Sequence, residues 1–157
     1  MKLLIVDDEP VMRKGLLYFI DWEALDCVIV SEAKNGFEAK EYIESNPVDI
    51  VIADIRMPGM DGISLLRFVH ERDPDLAVVL VTGGPAVETA VEALELGALH
   101  YLSKPVDREK FERTIEHAIA FSRNAHARRH ALEALGVDLR QGFLLARPGR
   151  PFPTFRW

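Results

Sequence analysis

Five residues able to handle metal or phosphate chemistry each follow a short apolar run: Asp7, Asp8, Asp54, Thr82 and Lys104. Asp54 is the most informative of them. It closes the run Asp49–Ala53, in which Ile and Val follow one another without alternation, the pattern of a strand buried on both faces. Pro58 and Gly59 then break the strand before a helix opens near Ile63. A carboxylate is thereby expected on rigid scaffold at the mouth of a parallel sheet, where open α/β folds carry their chemistry.

Taken one at a time, each residue has a plain structural reading. Asp8 could cap the helix that starts at Pro10, and Asp54 could belong to an Asx-turn. Thr82 suits a strand end, and Lys104 could be solvated beside Pro105, whose peptide isomer sequence does not fix. Met57 and Met60 read as turn packing. Together the residues favour chemistry. Three carboxylates crowded at one strand mouth repel each other, and a hard divalent cation such as Mg²⁺ relieves that repulsion while keeping open water positions. Lys104 supplies a fixed positive charge opposite. The set suits a phosphoryl group, with a carboxylate as nucleophile and an acyl phosphate as product.

The elements that must bring these residues together alternate for about 120 residues. Strands are expected at Lys2–Val6, Val28–Ala33, Asp49–Ala53, Leu76–Val81 and His100–Ser103. Helices are expected from Pro10, with Val11, Leu16, Leu17 and Ile20 as an apolar stripe, then at Gly36–Ser45, Ile63–Arg72 and Val87–Leu96, and from Asp107 onward. Five strand–helix units predict an α/β fold of flavodoxin-like type. It is a (βα)₅ doubly wound parallel sheet in the order 2-1-3-4-5, with right-handed crossovers. Its carboxyl edge gathers Asp7, Asp8, Asp54, Thr82 and Lys104.

Composition sets the limits. Hydrophobic residues are 48% and charged residues 28% of 157, which suits a water-soluble domain. The apolar runs fall far short of the roughly 20 residues that span a bilayer, so no membrane partner is expected. The start reads as a first strand rather than a signal peptide. One cysteine, Cys27, precludes an intrachain disulfide and suits a reducing cytoplasm. Charge is uneven. Residues 1–121 hold 12 Lys and Arg against 23 Asp and Glu, a net −11, whereas residues 122–157 hold seven Arg against Glu133 and Asp138, a net +5. The basic segment (Arg123, His126, Arg128, Arg129, His130) reads as a solvated helix face and lacks a reading motif for nucleic acid.

The matching set is Asp7-Asp8, Asp54 with Met57-Pro58-Gly59-Met60-Asp61-Gly62, Thr82, Tyr101 and Lys104-Pro105. With it, residues 1–121 resemble the receiver domains of two-component response regulators. That resemblance implies Asp54 as the phospho-acceptor, with Mg²⁺ bound directly by Asp8 and Asp54. Asp7 would act through water, and the Arg56 backbone carbonyl would complete the protein ligands. It further implies that Thr82 bonds a phosphoryl oxygen, that Lys104 pairs with the phosphate, and that Tyr101 swings inward when Thr82 moves. The implied partner is a sensor histidine kinase or phosphotransfer protein. A homodimer could form through the fourth helix, fifth strand and fifth helix, or through the extension of the fifth helix. Residues 20–23 and 32–36 are similar to receivers that drive transcription factors. His100 departs from the family, where an acidic residue is common, and reads as a surface histidine on an edge strand.

Residues 137–148, with Ala131–Gly136 before them, resemble the closing segment of EAL-type cyclic-di-GMP phosphodiesterase domains. The barrel of that family, on the order of 200 residues, is missing. Residues 122–157 are thus expected to be a helical extension and the remnant of an output domain, without phosphodiesterase activity. The Glu-Ala-Leu triplets at Glu23, Glu92 and Glu133 are chance repeats of helix formers. Three other readings compete. An aspartate-nucleophile phosphatase would want Asp-x-Asp and a cap domain. A flavin-binding module would want a Ser/Thr/Gly loop where Asp7-Asp8-Glu9 stands. A phosphorylation-independent interaction module needs no site at all.

Overall fold

The computed structural model describes residues 1–136. The resemblance over residues 137–148 therefore lies outside the described residues. The chain divides into two compact units, Met1–Ser122 and Arg123–Trp157. Within the first, strands β1 (Lys2–Val6), β2 (Val28–Ala33), β3 (Ile50–Asp54), β4 (Ala77–Thr82) and β5 (His100–Ser103) alternate with helices α1 (Pro10–Phe19), α2 (Gly36–Ser45), α3 (Gly62–Arg72) and α4 (Val87–Glu95). The last helix, α5, runs Arg108–Ala134. The strands form one sheet in the order β2-β1-β3-β4-β5, parallel at every pairing. This is the expected doubly wound topology.

The uninterrupted apolar runs explain the placement of β3 and β4. Every residue of both strands is buried. Alternation along the strands sends side chains to two cores. Leu4, Val6, Val51, Ala53, Val78 and Leu80 pack on one side with Leu65, Leu66 and Val69 of α3. Leu3, Ile5, Ile50, Ile52, Val79 and Val81 pack on the other with Phe111, Ile115 and Ala118 of α5. Each such Val, Leu, Ile or Phe side chain stabilises the fold by about 1.5–3 kcal/mol, so the central strands anchor both cores. β2 and β5 lie at the edges and are only partly covered.

The first helix departs from its expected stripe. Pro10 sits in its first turn, and this phase leaves Val11 80% exposed while Arg13 is buried. Ile20 is buried at the C-cap, with Leu16 and Leu17 half-buried against the α5 side. Trp22 locks the helix end by donating its indole N–H to the Leu16 carbonyl at 3.1 Å and meeting Phe111 edge-on. Met57 and Met60 pack in and against the α3-side core, as expected of turn residues.

The turn after β3 is held by contact as much as by residue preference. Asp61 caps α3 by accepting the Ser64 N–H at 2.8 Å, and the Gly62 N–H bonds the Ile55 carbonyl at 2.9 Å. A Cβ on Gly62 would stand 2.5 Å from the Asp54 carbonyl oxygen and 2.8 Å from the Ile55 Cα. Both neighbours are backbone, so they cannot swing aside. Gly62→Ala is expected to destabilise the protein by about 1–3 kcal/mol. Urea denaturation would measure it, and an unchanged midpoint would refute the crowding argument.

Candidate functional site

The C-terminal ends of β1, β3, β4 and β5 lie along one edge of the parallel sheet, and carboxylates following β1 and closing β3 gather there. Asp7 and Asp54 are buried, Asp8 is half-buried and Glu9 is exposed. One carboxylate oxygen from each of the four lies within 4.8 Å of the others. Lys104 faces them from the loop after β5. Its Nζ is 3.0 Å from Asp7 Oδ2, 3.4 Å from Asp54 Oδ2 and 3.9 Å from Glu9 Oε1. Four carboxylates against one ammonium leave a surplus of negative charge, and two of the four, Asp7 and Asp54, are buried.

Asp54 shows the consequence. Burial pushes its carboxyl above the usual carboxylate range, and the charge of Asp7 adds to this, while Lys104 pulls the other way without winning. Burial also works against the Lys104 ammonium. There the hydrogen bond and charge of Asp7, then those of Asp54, prevail and hold its pKa above the ordinary lysine value. The lysine therefore stays charged while the aspartate resists ionising.

The N-cap reading of Asp8 finds no support in this geometry, whereas Asp54 takes a backbone hydrogen bond from Arg56, two residues on, as an Asx-turn would, without that bond satisfying its whole carboxylate. The N-cap of α1 is Glu9, without a side-chain cap bond. Asp54 Oδ1 is buried and has no hydrogen-bond partner among the described residues. Orphaned buried acceptors are rare and costly in folded proteins. An atom of this kind beside three further carboxylates is the donor set that suits a hard cation, so the residues present fit Mg²⁺.

The other expected residues are also at this edge. Thr82 is buried, and its Oγ1 accepts the Gly84 N–H at 3.2 Å. The Lys104 N–H donates to the Thr82 carbonyl at 2.7 Å, which ties the β4 and β5 exits together. The Lys104–Pro105 peptide is cis. Tyr101 is half-buried against the α3-side core, and its hydroxyl accepts the Ala86 N–H at 3.4 Å. The Arg56 side chain donates from Nη2 to the Gly84 carbonyl at 3.4 Å. A Cβ on Gly84 would meet that guanidinium. An apolar cavity of about 250 Å³, lined by Met12, Gly15, Leu16 and Phe19 of α1, flanks Asp54 and Lys104.

Two contributors were not singled out from the sequence. Glu9 joins the carboxylate group, a role signalled only by its place in Asp7-Asp8-Glu9. Arg13 donates from Nη1 to the Asp7 carbonyl at 2.6 Å, and its Nε lies 3.5 Å from Glu32 Oε1. This buried guanidinium props the β1 exit. Asp7 is six residues away and Glu32 lies on another strand, so only the helix phase reveals it.

Residues 3–116 match the response regulator receiver domain family. Among curated proteins, the chain is 37% identical over 119 residues to the uncharacterized transcriptional regulatory protein YesN of Bacillus subtilis (strain 168), covering 76% of this chain and 32% of that protein. It thus spans about a third of the length of that relative. Among solved structures, a two component transcriptional regulator AraC from Clostridium phytofermentans ISDg is 31% identical. It has a TM-score of 0.75, with 81% of this chain and 98% of that chain covered. The CheX-CheY-BeF3-Mg+2 complex from Borrelia burgdorferi gives a chain 31% identical with a TM-score of 0.69, covering 76% and 89%. No helix among the described residues is long and apolar enough to cross a membrane. The chain belongs to the response regulator receiver domain family of two-component systems.

Proposed function

We propose that this receiver accepts a phosphoryl group on Asp54 from a sensor histidine kinase or phosphotransfer protein and uses it to switch a protein surface. The observation that carries the reading is the buried Asp54 Oδ1, without a hydrogen-bond partner among the described residues, inside a four-carboxylate group faced by Lys104. In the transfer, Asp54 Oδ1 forms a bond to phosphorus as the P–N bond of the donor phosphohistidine breaks. The bond's electron pair returns to the imidazole.

Asp8, Asp54 and the Arg56 backbone carbonyl would hold Mg²⁺, with Asp7 acting through water. The ion supplies charge neutralisation for the phosphoryl oxygens and the nucleophile. Lys104 would pair with the arriving phosphate in exchange for part of its contact with Asp7 and Asp54. The Thr82 hydroxyl has a proton to donate to a phosphoryl oxygen. Any displacement of Thr82 reaches β5 through the Lys104 N–H, and Tyr101 lies on that strand within reach of the core.

The surface that would change is α4-β5-α5. On α4, Val87, Val91 and Leu94 stand at i, i+4 and i+7 and are exposed, a face suited to a second copy or another protein. The single buried cysteine suits a cytoplasmic setting. Two output readings follow from different observations. The tail resemblance points to cyclic-di-GMP phosphodiesterase ancestry, whereas the curated relative YesN is a transcriptional regulatory protein. The second rests on more residues and is preferred. Intact-mass measurement after incubation with Mg²⁺ and acetyl phosphate tests the phosphoryl step. Gain of one phosphoryl group is expected, and an unmodified wild type would sink the reading.

A further inference from the structure

The second cluster of titratable groups lies away from the acidic pocket, where β5 meets α5. His100 and His117, 17 residues apart, point ring nitrogens at each other, His100 Nε2 to His117 Nδ1 at 2.5 Å. Their ring centroids are 4.8 Å apart at an interplanar angle of 75°. One ring is carried by a strand paired to Val79 and the other by the middle of a helix whose neighbours Ile115 and Ala118 are buried. Both ligand positions are therefore on rigid elements.

We propose that His100 and His117 form a binding site for a borderline transition-metal ion such as Zn²⁺, Cu²⁺ or Ni²⁺, with water in the remaining positions. Two neutral imidazoles facing each other share at most one proton between the facing nitrogens, so at least one lone pair is aimed at the other ring. Metal–nitrogen bonds of about 2.0–2.1 Å place two cis imidazole nitrogens roughly 3 Å apart. Small side-chain rotations of both rings would open the pair to that separation. Burial, with the charge of His117 second, lowers the His100 pKa below the ordinary histidine value, so this ligand presents a lone pair at neutral pH without first losing a proton.

The two sites differ in what they select. The acidic pocket offers oxygen ligands to a hard cation, and the histidine pair offers nitrogen to a softer one. Among the described residues, the group of three or more metal-capable side chains is the acidic one. The histidine site accordingly has two protein ligands and open positions. Occupancy would clip β5 to α5 one residue from Tyr101.

The test is titration of the full chain with Zn²⁺ in saturating Mg²⁺, which occupies the acidic pocket, followed through the histidine ring proton resonances. The His100 and His117 signals are expected to move together and saturate at one Zn²⁺ per chain. His100→Gln and His117→Gln should each weaken that binding at least about tenfold. The pair His126 and His130, spaced four apart on α5, provides the control. Replacing both by Gln should leave the His100 and His117 shifts intact. Stationary His100 and His117 signals at excess Zn²⁺, or an affinity unmoved by either single substitution, would overturn the proposal. Unfolding midpoints without metal separate loss of a ligand from loss of the fold.

Discussion

Asp54→Asn is expected to abolish phosphoryl gain from acetyl phosphate while leaving the domain folded. The amide is nearly the same shape but has no carboxylate oxygen to form the acyl phosphate. Folding should not suffer. Burial already disfavours the charged form of Asp54, and the Asp7 charge adds to that cost, so a neutral isostere removes an unfavourable charge from the pocket. In Mg²⁺-free buffer the variant should match or exceed the wild type in urea midpoint. Paired mass spectrometry and denaturation read both arms. A variant that gains the same mass as the wild type would place the acceptor elsewhere. A variant that fails to fold would contradict the charge argument instead.

Removing the lysine should have the second largest effect, and this time on stability. Among the described residues, Lys104 Nζ is the cation within 4 Å of the buried carboxylates of Asp7 and Asp54. Lys104→Ala leaves two like charges facing each other without compensation. Breaking a buried pair from one side costs about 3–5 kcal/mol, and the partial exposure of this pocket's rim brings the expectation to about 2–3 kcal/mol. The loss should be greatest in chelator. Mg²⁺ should then stabilise the variant more than it stabilises the wild type, because the ion no longer competes with an ammonium for the same oxygens and binding to the folded state adds stability by linkage. Urea denaturation of both proteins with EDTA and with Mg²⁺ provides the comparison. Equal Mg²⁺ increments in the two proteins, or no loss in EDTA, would show that Lys104 does not balance the pocket.

These expectations draw on features of unequal legibility. The five strands followed from the apolar runs and the alternation of strand and helix signals, and their order from taking β1 as central in a doubly wound sheet. Their observed bounds differ from the expected ones by a residue at β3 and β4, since hydrogen bonding rather than hydropathy sets where a strand ends. Helix α1 is less legible. Val11, Leu16, Leu17 and Ile20 fit an apolar stripe on paper, but Pro10 fixes where the helix starts, and the resulting phase exposes Val11 and buries Arg13. His100 read as a surface histidine because its partner, His117, is 17 residues away on another element.

Residue types and spacing by themselves determined the fold class and the identity of the acidic, hydroxyl and amine side chains at the sheet's carboxyl edge. They do so because burial forces a continuous apolar run into a central strand, and the residue that follows must then emerge at its end. Only the tertiary structure decided how those side chains are paired. It placed Lys104 between Asp7 and Asp54, left Asp54 Oδ1 without a partner among the described residues, added Glu9 and Arg13, and set His100 against His117. Distances, burial and orphaned acceptors arise between elements remote in sequence, and they follow from packing rather than from any local pattern.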